Sequence, residues 1–225
     1  MEDVSLNIHN LKKQYDNKTV INNLSITINF NSKITLMTGM NGSGKSTLAK
    51  MIAGIILPDK GTLTLSNHTN FSKWTKRNTY YLSNAERGMF YKLNCRQNIE
   101  YLTSLKGTSR KYVLDKLPAY CEKLNCTDIL EISAEKLSTG QKKKVFILSA
   151  LCSNCQLLLL DEPTNGLDDE SFYAFTEILA SLRLEKKIVL ISHDKRFLDM
   201  PHIERIIFGK NGEIYWEEGS ANGLS

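Results

Sequence analysis

The stretch Gly39-Met40-Asn41-Gly42-Ser43-Gly44-Lys45-Ser46-Thr47 follows the apolar run Ile34, Leu36, Met37 and precedes the helix-forming Leu48-Ala49-Lys50-Met51-Ile52-Ala53. No other feature constrains the fold as much. Glycines between a strand and a helix let backbone N–H groups curl around phosphate oxygens while the new helix points its positive end at them. A nucleotide phosphate site follows, with Asn41, Gly42, Ser43, Gly44 and Thr47 in the cradle. Lys45 is placed to reach the β and γ phosphates, and the Ser46 hydroxyl to ligate Mg²⁺.

The chain of 225 residues suits one large domain or a core with a subdomain. No run approaches the roughly 20 apolar residues of a membrane span. Met1-Glu2-Asp3 opens acidic rather than with the basic and apolar blocks of a signal peptide, so a cytoplasmic protein is expected. The net charge of +5 is concentrated: Lys73, Lys76, Arg77, Arg87, Lys92 and Arg96 face only Glu86 within that segment. This reads as a solvated face or as a surface for polyanions or a membrane. No finger, homeodomain or RNA-module pattern accompanies it, and no nucleic-acid partner is expected. Cys95, Cys121, Cys126, Cys152 and Cys155 are odd in number and spaced unlike a disulfide framework or a closed zinc site.

Along the chain, Leu6, Ile8 and then Val20 to Ile28 alternate with polar residues on either side of Tyr15-Asp16-Asn17-Lys18, which predicts two strands and a turn. Short strands follow at Thr62–Leu65 and Thr79–Leu82. From about residue 85 to 135 the spacing is helical (Ile99, Leu102, Leu105; then Val113, Leu114, Leu117, Cys121, Leu124), with Pro118 expected to kink the second helix. Continuous apolar runs at Leu157–Leu160 and Ile188–Ile191 have the form of strands buried on both faces, joined through a helix carrying Phe172, Phe175, Leu179 and Leu182. Asn211-Gly212 predicts a terminal hairpin turn between residues 205–208 and 213–216, and residues 217–225 a fraying tail. The fold class is α/β: a mixed-sheet core over residues 1–84 and 136–225, an antiparallel N-terminal β region and an inserted helical subdomain over 85–135.

The four-leucine strand ends in Asp161-Glu162-Pro163. A carboxylate at the C-terminal end of such a strand lies beside the phosphate loop, so Asp161 can hold Mg²⁺ and Glu162 can polarise water for attack on the γ phosphate. Ser138 opens a helix as a cap in Leu137-Ser138-Thr139-Gly140-Gln141, and His193 follows the last core strand in Ser192-His193-Asp194, facing the same crevice.

Taken together these stretches resemble the ATP-binding cassette (ABC) ATPases, in particular the separate nucleotide-binding subunit of an ABC transporter, over essentially the whole chain. Gly39 to Thr47 match Walker A, Leu137 to Gln141 the signature (LSTGQ, where LSGGQ is most frequent), and Leu157 to Glu162 Walker B. Asn165-Gly166-Leu167-Asp168 match the D-loop, His193 the switch histidine and Tyr15 the aromatic that stacks on adenine. The resemblance implies an ATPase whose cofactors are ATP and Mg²⁺. It also implies a head-to-tail homodimer or heterodimer with a second ABC ATPase subunit, each ATP being clamped between one Walker A and the partner's Ser138, Gly140 and Gln141. Catalysis then falls to Glu162, His193 and Lys45, and metal binding to Ser46 and Asp161.

The chain departs from the family where most members have a glutamine after the strand at residues 79–82. Asn84 matches that position, one methylene short, with Glu86 as a competing candidate. Asn84 facing the metal shell is the preferred reading, with Glu86 and Arg87 displayed toward a permease. The resemblance implies a polytopic membrane permease as partner, which would hold the subunit on the cytoplasmic face of the membrane. The run from Tyr81 to Tyr101 looks like that of subunits serving small exporters. The alternative is a soluble ABC ATPase acting on a protein, ribosome or nucleic-acid complex, for which the basic segment is the one supporting feature.

Overall fold

The computed structural model describes residues 4–16, 18–31, 33–84, 88–209 and 214–218. Strands β1 (Ser5–Tyr15) and β2 (Lys18–Asn29) pair antiparallel, and β4 (Lys60–Leu65) joins the other edge of β1 in the order β2-β1-β4. The second sheet has the order β5-β6-β7-β3-β8-β9, built from β3 (Ile34–Gly39), β5 (Thr79–Leu82), β6 (Leu157–Asp161), β7 (Lys187–Ile191), β8 (Ile203–Phe208) and β9 (Ile214–Glu218). Its strands run parallel except β9, which pairs antiparallel with β8. The mixed α/β architecture with an antiparallel N-terminal region is the one the sequence predicts.

The continuous apolar runs are explained by where alternate residues go. Leu158, Leu160, Ile188, Leu190, Ile34 and Leu36 enter one core cluster, whereas Leu157, Leu159, Val189, Ile191 and Met37 enter the other. Successive side chains on a strand point to opposite faces, so a strand between two cores turns no position to water and is apolar almost throughout. The first cluster is roofed by α3 (Cys95–Ser104), α4 (Arg110–Lys123), α5 (Thr139–Leu151) and α6 (Asp169–Leu182). On the other side lie α1 (Lys45–Ile52), α2 (Phe71–Asn78) and the antiparallel sheet. The helices of the 88–135 region share the first cluster with the sheet, so that region has no separate core among the described residues.

Helix α2 is absent from the sequence reading. Its signal is short: Asn70 accepts from Lys73 N as N-cap, and Phe71, Trp74 and Thr75 form the buried stripe. Helix α4 continues through Pro118 as one element. Pro118 and Leu114 both lie on its exposed side, so the Leu114 carbonyl that loses its amide partner faces solvent. The basic segment is less concentrated in space than in sequence, since Lys92 pairs with Glu135 and Arg96 with Glu131, each at 2.7 Å. All five cysteines are free and buried, and burial pushes the Cys152 thiol up to about 12. At the C-terminus β9 extends to Glu218, so residues 217 and 218 belong to a strand and not to the expected tail. The Asn211-Gly212 turn and residues 219–225 lie outside the described residues.

Candidate nucleotide site

Gly39 ends β3 with φ 128°, where an added Cβ would stand 2.1 Å from the Phe208 carbonyl oxygen of β8. The chain therefore leaves the sheet at a point that only glycine fits. Gly44 caps α1 at φ 103°, and the first helical bond runs from Leu48 N to Gly44 O at 2.8 Å. Lys45 folds back over the loop, donating from Nζ to Gly39 O at 2.7 Å, Met40 O at 2.8 Å and Ser43 Oγ at 3.4 Å. Burial lowers its pKa, with the charges of Glu162 and Asp161 acting in the opposite direction. A phosphate in the cradle would replace those carbonyls as the partner of the ammonium group.

Asp161 is the last residue of β6 and is buried. The next residue, Glu162, has φ 49° and donates its N–H to Ile191 O at 2.8 Å, a left-handed conformation held by the neighbouring strand. That turn swings the Glu162 carboxylate toward β7, where Ser192 Oγ donates to Oε2 at 3.3 Å and His193 Nε2 lies 3.7 Å from Oε1. From the adjacent strand β5 the Tyr81 phenol donates to Asp161 Oδ2 at 2.9 Å. Burial and then the Asp161 charge raise the Tyr81 pKa above its ordinary value, so the group remains a donor.

These elements enclose a cavity of about 390 Å³, lined by Tyr15, Asn41, Gly42, Ser43, Gly44, Lys45, Ser46, Thr47, Asn84, Asp161, Glu162 and His193. Asn41 to Thr47 of the Walker A stretch, Asp161 and Glu162 of Walker B, His193 and Tyr15 thus all reach one cavity. Lys18, Val20 and Ile191 line it too and carry no sequence signal of their own. Glu86 lies outside the described residues, as does Arg87.

Ser138, Gly140 and Gln141 are not brought to this cavity. Ser138 is exposed at the start of α5 in a reciprocal cap: its hydroxyl accepts from Gln141 N at 3.2 Å, and Gln141 Oε1 accepts from Ser138 N at 2.9 Å. A Cβ at Gly140 would stand 3.0 Å from Gly166 O, so the signature helix packs close to the D-loop. The cavity lining offers the Asp161 carboxylate, the Ser46 hydroxyl and the Asn84 amide, hard oxygen ligands of the kind Mg²⁺ takes alongside water and phosphate. These residues fit the metal.

A glycine loop on a helix N-terminus, with two carboxylates at the C-terminal end of the next strand but one, defines a P-loop nucleotide hydrolase. The family model for ABC transporters matches residues 21–165, and the chain belongs to that family of ATP-binding, ATP-hydrolysing subunits. It is 30% identical over 189 residues to the lantibiotic transport ATP-binding protein SrtF of Streptococcus pyogenes, covering 83% of this chain and 79% of that protein. It is 32% identical over 196 residues to the zinc import ATP-binding protein ZnuC of Wigglesworthia glossinidia brevipalpis, covering 86% and 78%. Among solved structures, the ATP-binding subunit of an ABC transporter superposes with a TM-score of 0.83 at 21% identity, over 95% of this chain and 89% of that one, a likeness of fold.

Proposed function

We propose that the chain binds ATP with Mg²⁺ and hydrolyses it in a head-to-tail dimer that drives a separate membrane permease. One observation carries this reading. Phosphate loop, Asp161, Glu162 and His193 share a cavity, while the capped N-terminus of α5 at Ser138 stands open elsewhere on the same chain. Two half-sites on one molecule that cannot meet are satisfied by two chains in opposite orientation.

In that dimer the loop amides hold the β and γ phosphates, Tyr15 stacks on adenine, and Lys45 exchanges its carbonyl partners for phosphate oxygens. Ser46, Asp161 and Asn84 would hold Mg²⁺, which supplies charge neutralisation on the transferred phosphoryl. Glu162 accepts a proton from the attacking water, Ser192 and His193 hold that carboxylate in place, and His193 contacts the departing phosphate. The partner's Ser138 and α5 amides complete the anion cradle and exclude water.

The transport relatives support a permease as partner, and among the described residues no helix is long and apolar enough to cross a membrane. The subunit then sits on the cytoplasmic face through that permease, with residues 85–135 as its helical subdomain. We read the direction as export, from the Tyr81 to Tyr101 run; SrtF is named for lantibiotic transport and ZnuC for zinc import.

The test is ATP-driven association of the Glu162→Gln protein, measured by sedimentation. Glu162→Gln removes the proton acceptor and keeps size and polarity, so turnover should fall at least about a hundredfold while an ATP-bound dimer accumulates. Adding Ser138→Arg should return the protein to monomer with ATP still bound. A dimer that survives Ser138→Arg, or turnover within about threefold of the parent in Glu162→Gln, overturns the reading.

A further inference from the structure

The turn that carries His193 is tied to α6 through Arg196, in the 3₁₀ turn Lys195–Asp199. Its Nε donates to both carboxylate oxygens of Asp194 at 3.0 Å, and a terminal nitrogen donates to Asp194 Oδ2 at 2.6 Å. The other terminal nitrogen donates to Asp169, the first residue of α6. The guanidinium carbon lies 3.9 Å from the centroid of the Phe172 ring on α6, and Phe172 packs on Phe197 with centroids 5.0 Å apart. Asp194 N donates to Ser192 Oγ at 3.1 Å, and that hydroxyl donates to Glu162. The route from Arg196 to the Glu162 carboxylate is thus continuous and brackets His193 on both sides.

An ordinary surface ion pair would contribute little, and the contact with Asp169 is of that kind, its side chain being 84% exposed. The Asp194 pair differs. Its carboxylate is 21% exposed, receives a fork of donors from one planar cation, and is held below the usual carboxylate range chiefly by that hydrogen bonding. The guanidinium also lies over the Phe172 ring, which limits how far the fork can turn away from Asp194. A lysine could supply the charge but neither the fork nor the stack.

We propose that Arg196 is a positioning residue for hydrolysis, locking Asp194 and with it the backbone of the His193 turn against α6, so that His193 and Glu162 keep their mutual placement. The inference rests on the reading of Glu162 and His193 as the hydrolytic pair. Arg196 itself touches no nucleotide-site atom; its effect passes through Asp194 and Ser192.

The experiment compares Arg196→Met, which keeps the apolar stem over Phe172 and removes the fork, with Arg196→Lys as a second variant should the first fold poorly. Side-chain NMR of the histidines in the nucleotide-free protein reads the effect directly, because the chain has only four: His9, His68, His193 and His202. The His193 signal, assigned by its loss in His193→Ala, should shift or broaden in both variants while those of His9 and His68 stay in place. In steady-state hydrolysis kcat should fall about tenfold in Arg196→Met and less in Arg196→Lys, with the KM for ATP unchanged within about twofold. An unmoved His193 signal in a folded variant, an unchanged kcat, or parallel losses in kcat and ATP affinity overturns the inference. If His193→Ala instead keeps full turnover, the hydrolytic reading of His193 fails, a result distinct from any Arg196 outcome, and the inference falls with it.

Discussion

The phenol of Tyr81, on β5, donates a 2.9 Å hydrogen bond to Oδ2 of Asp161 at the end of the neighbouring strand β6. One carboxylate oxygen is thereby engaged by a neutral donor, leaving the other to turn toward the cavity. Tyr81 also borders a groove with Leu102, Leu105, Lys106 and Phe146, so one residue adjoins both the helical region and Asp161. Groups that orient a metal ligand commonly matter to metal affinity nearly as much as the ligand does.

Tyr81→Phe removes that donor and keeps the ring. The Mg²⁺ concentration that gives half-maximal hydrolysis should rise about tenfold. Binding of Mn²⁺ in the presence of ADP, followed by electron paramagnetic resonance, should weaken in parallel. A midpoint within about twofold of the parent would show that Asp161 needs no help from the phenol.

Asn84 lines the cavity and is exposed there, where the resemblance places a longer glutamine. The missing methylene shortens the reach by roughly 1.5 Å, a gap that a water can bridge in a polar site. Asn84→Ala should therefore lower hydrolysis at limiting Mg²⁺ and recover at saturating Mg²⁺, while Glu86→Ala leaves both rates alone in the isolated subunit. Rates measured against Mg²⁺ for the two variants check this, and the opposite pattern transfers the role to Glu86.

The sequence was most legible where function forces residue types into a line. Gly39 to Thr47, Asp161-Glu162 and His193 could be read because a phosphate cradle and a strand-end carboxylate need particular side chains at particular offsets. The double-sided burial of Leu157–Leu160 is legible for the same reason, since a strand between two cores turns no position to water. What escaped is tertiary. Tyr81 meets Asp161 across a separation of 80 residues, and Arg196 stacks on Phe172 from another element, contacts that no local spacing announces. Helix α2 escaped because eight residues with two large apolar side chains give a periodic pattern too short to stand out. The charge surplus over residues 73–96 looked larger than it is because Glu131 and Glu135, which pair with Arg96 and Lys92, come from beyond the segment.

Gly39 and Gly42 separate two effects of a glycine. At Gly39 a methyl group would overlap the Phe208 carbonyl at 2.1 Å, so β8 must move from β3, and φ is positive as well. At Gly42, with φ 78°, nothing lies within 4 Å of the added carbon. Gly39→Ala should cost about 2–5 kcal/mol of stability from strain plus overpacking. Gly42→Ala should cost only the ~1–2 kcal/mol of a left-handed non-glycine residue. Urea denaturation of the nucleotide-free proteins compares them, and equal losses would mean that β8 yields at no cost.

Asn98 is the least replaceable polar residue of the helical region. It is fully buried in α3, its Oδ1 accepts from Phe90 N at 2.8 Å, and its Nδ2 donates to the carbonyls of Phe90, Leu93 and Asn94 at 3.0, 3.2 and 3.0 Å. One amide thus pins residues 90–94, the segment that displays Phe90 and Tyr91 at the surface and opens α3 through the Asn94 cap. Asn98→Ala removes the partner of the part-buried Phe90 amide and of three carbonyls and should cost about 2–3 kcal/mol. In a chain of this length that corresponds to a fall in Tm of roughly 4–12 °C. Asn98→Asp should be no milder, although it keeps the acceptor for Phe90 N: the carboxylate has no donor for the three carbonyls and faces their negative ends in a buried site. Thermal unfolding of the two variants checks both statements. An aspartate variant as stable as the parent would mean that the carbonyls of Phe90, Leu93 and Asn94 find other donors and that the amide group is dispensable.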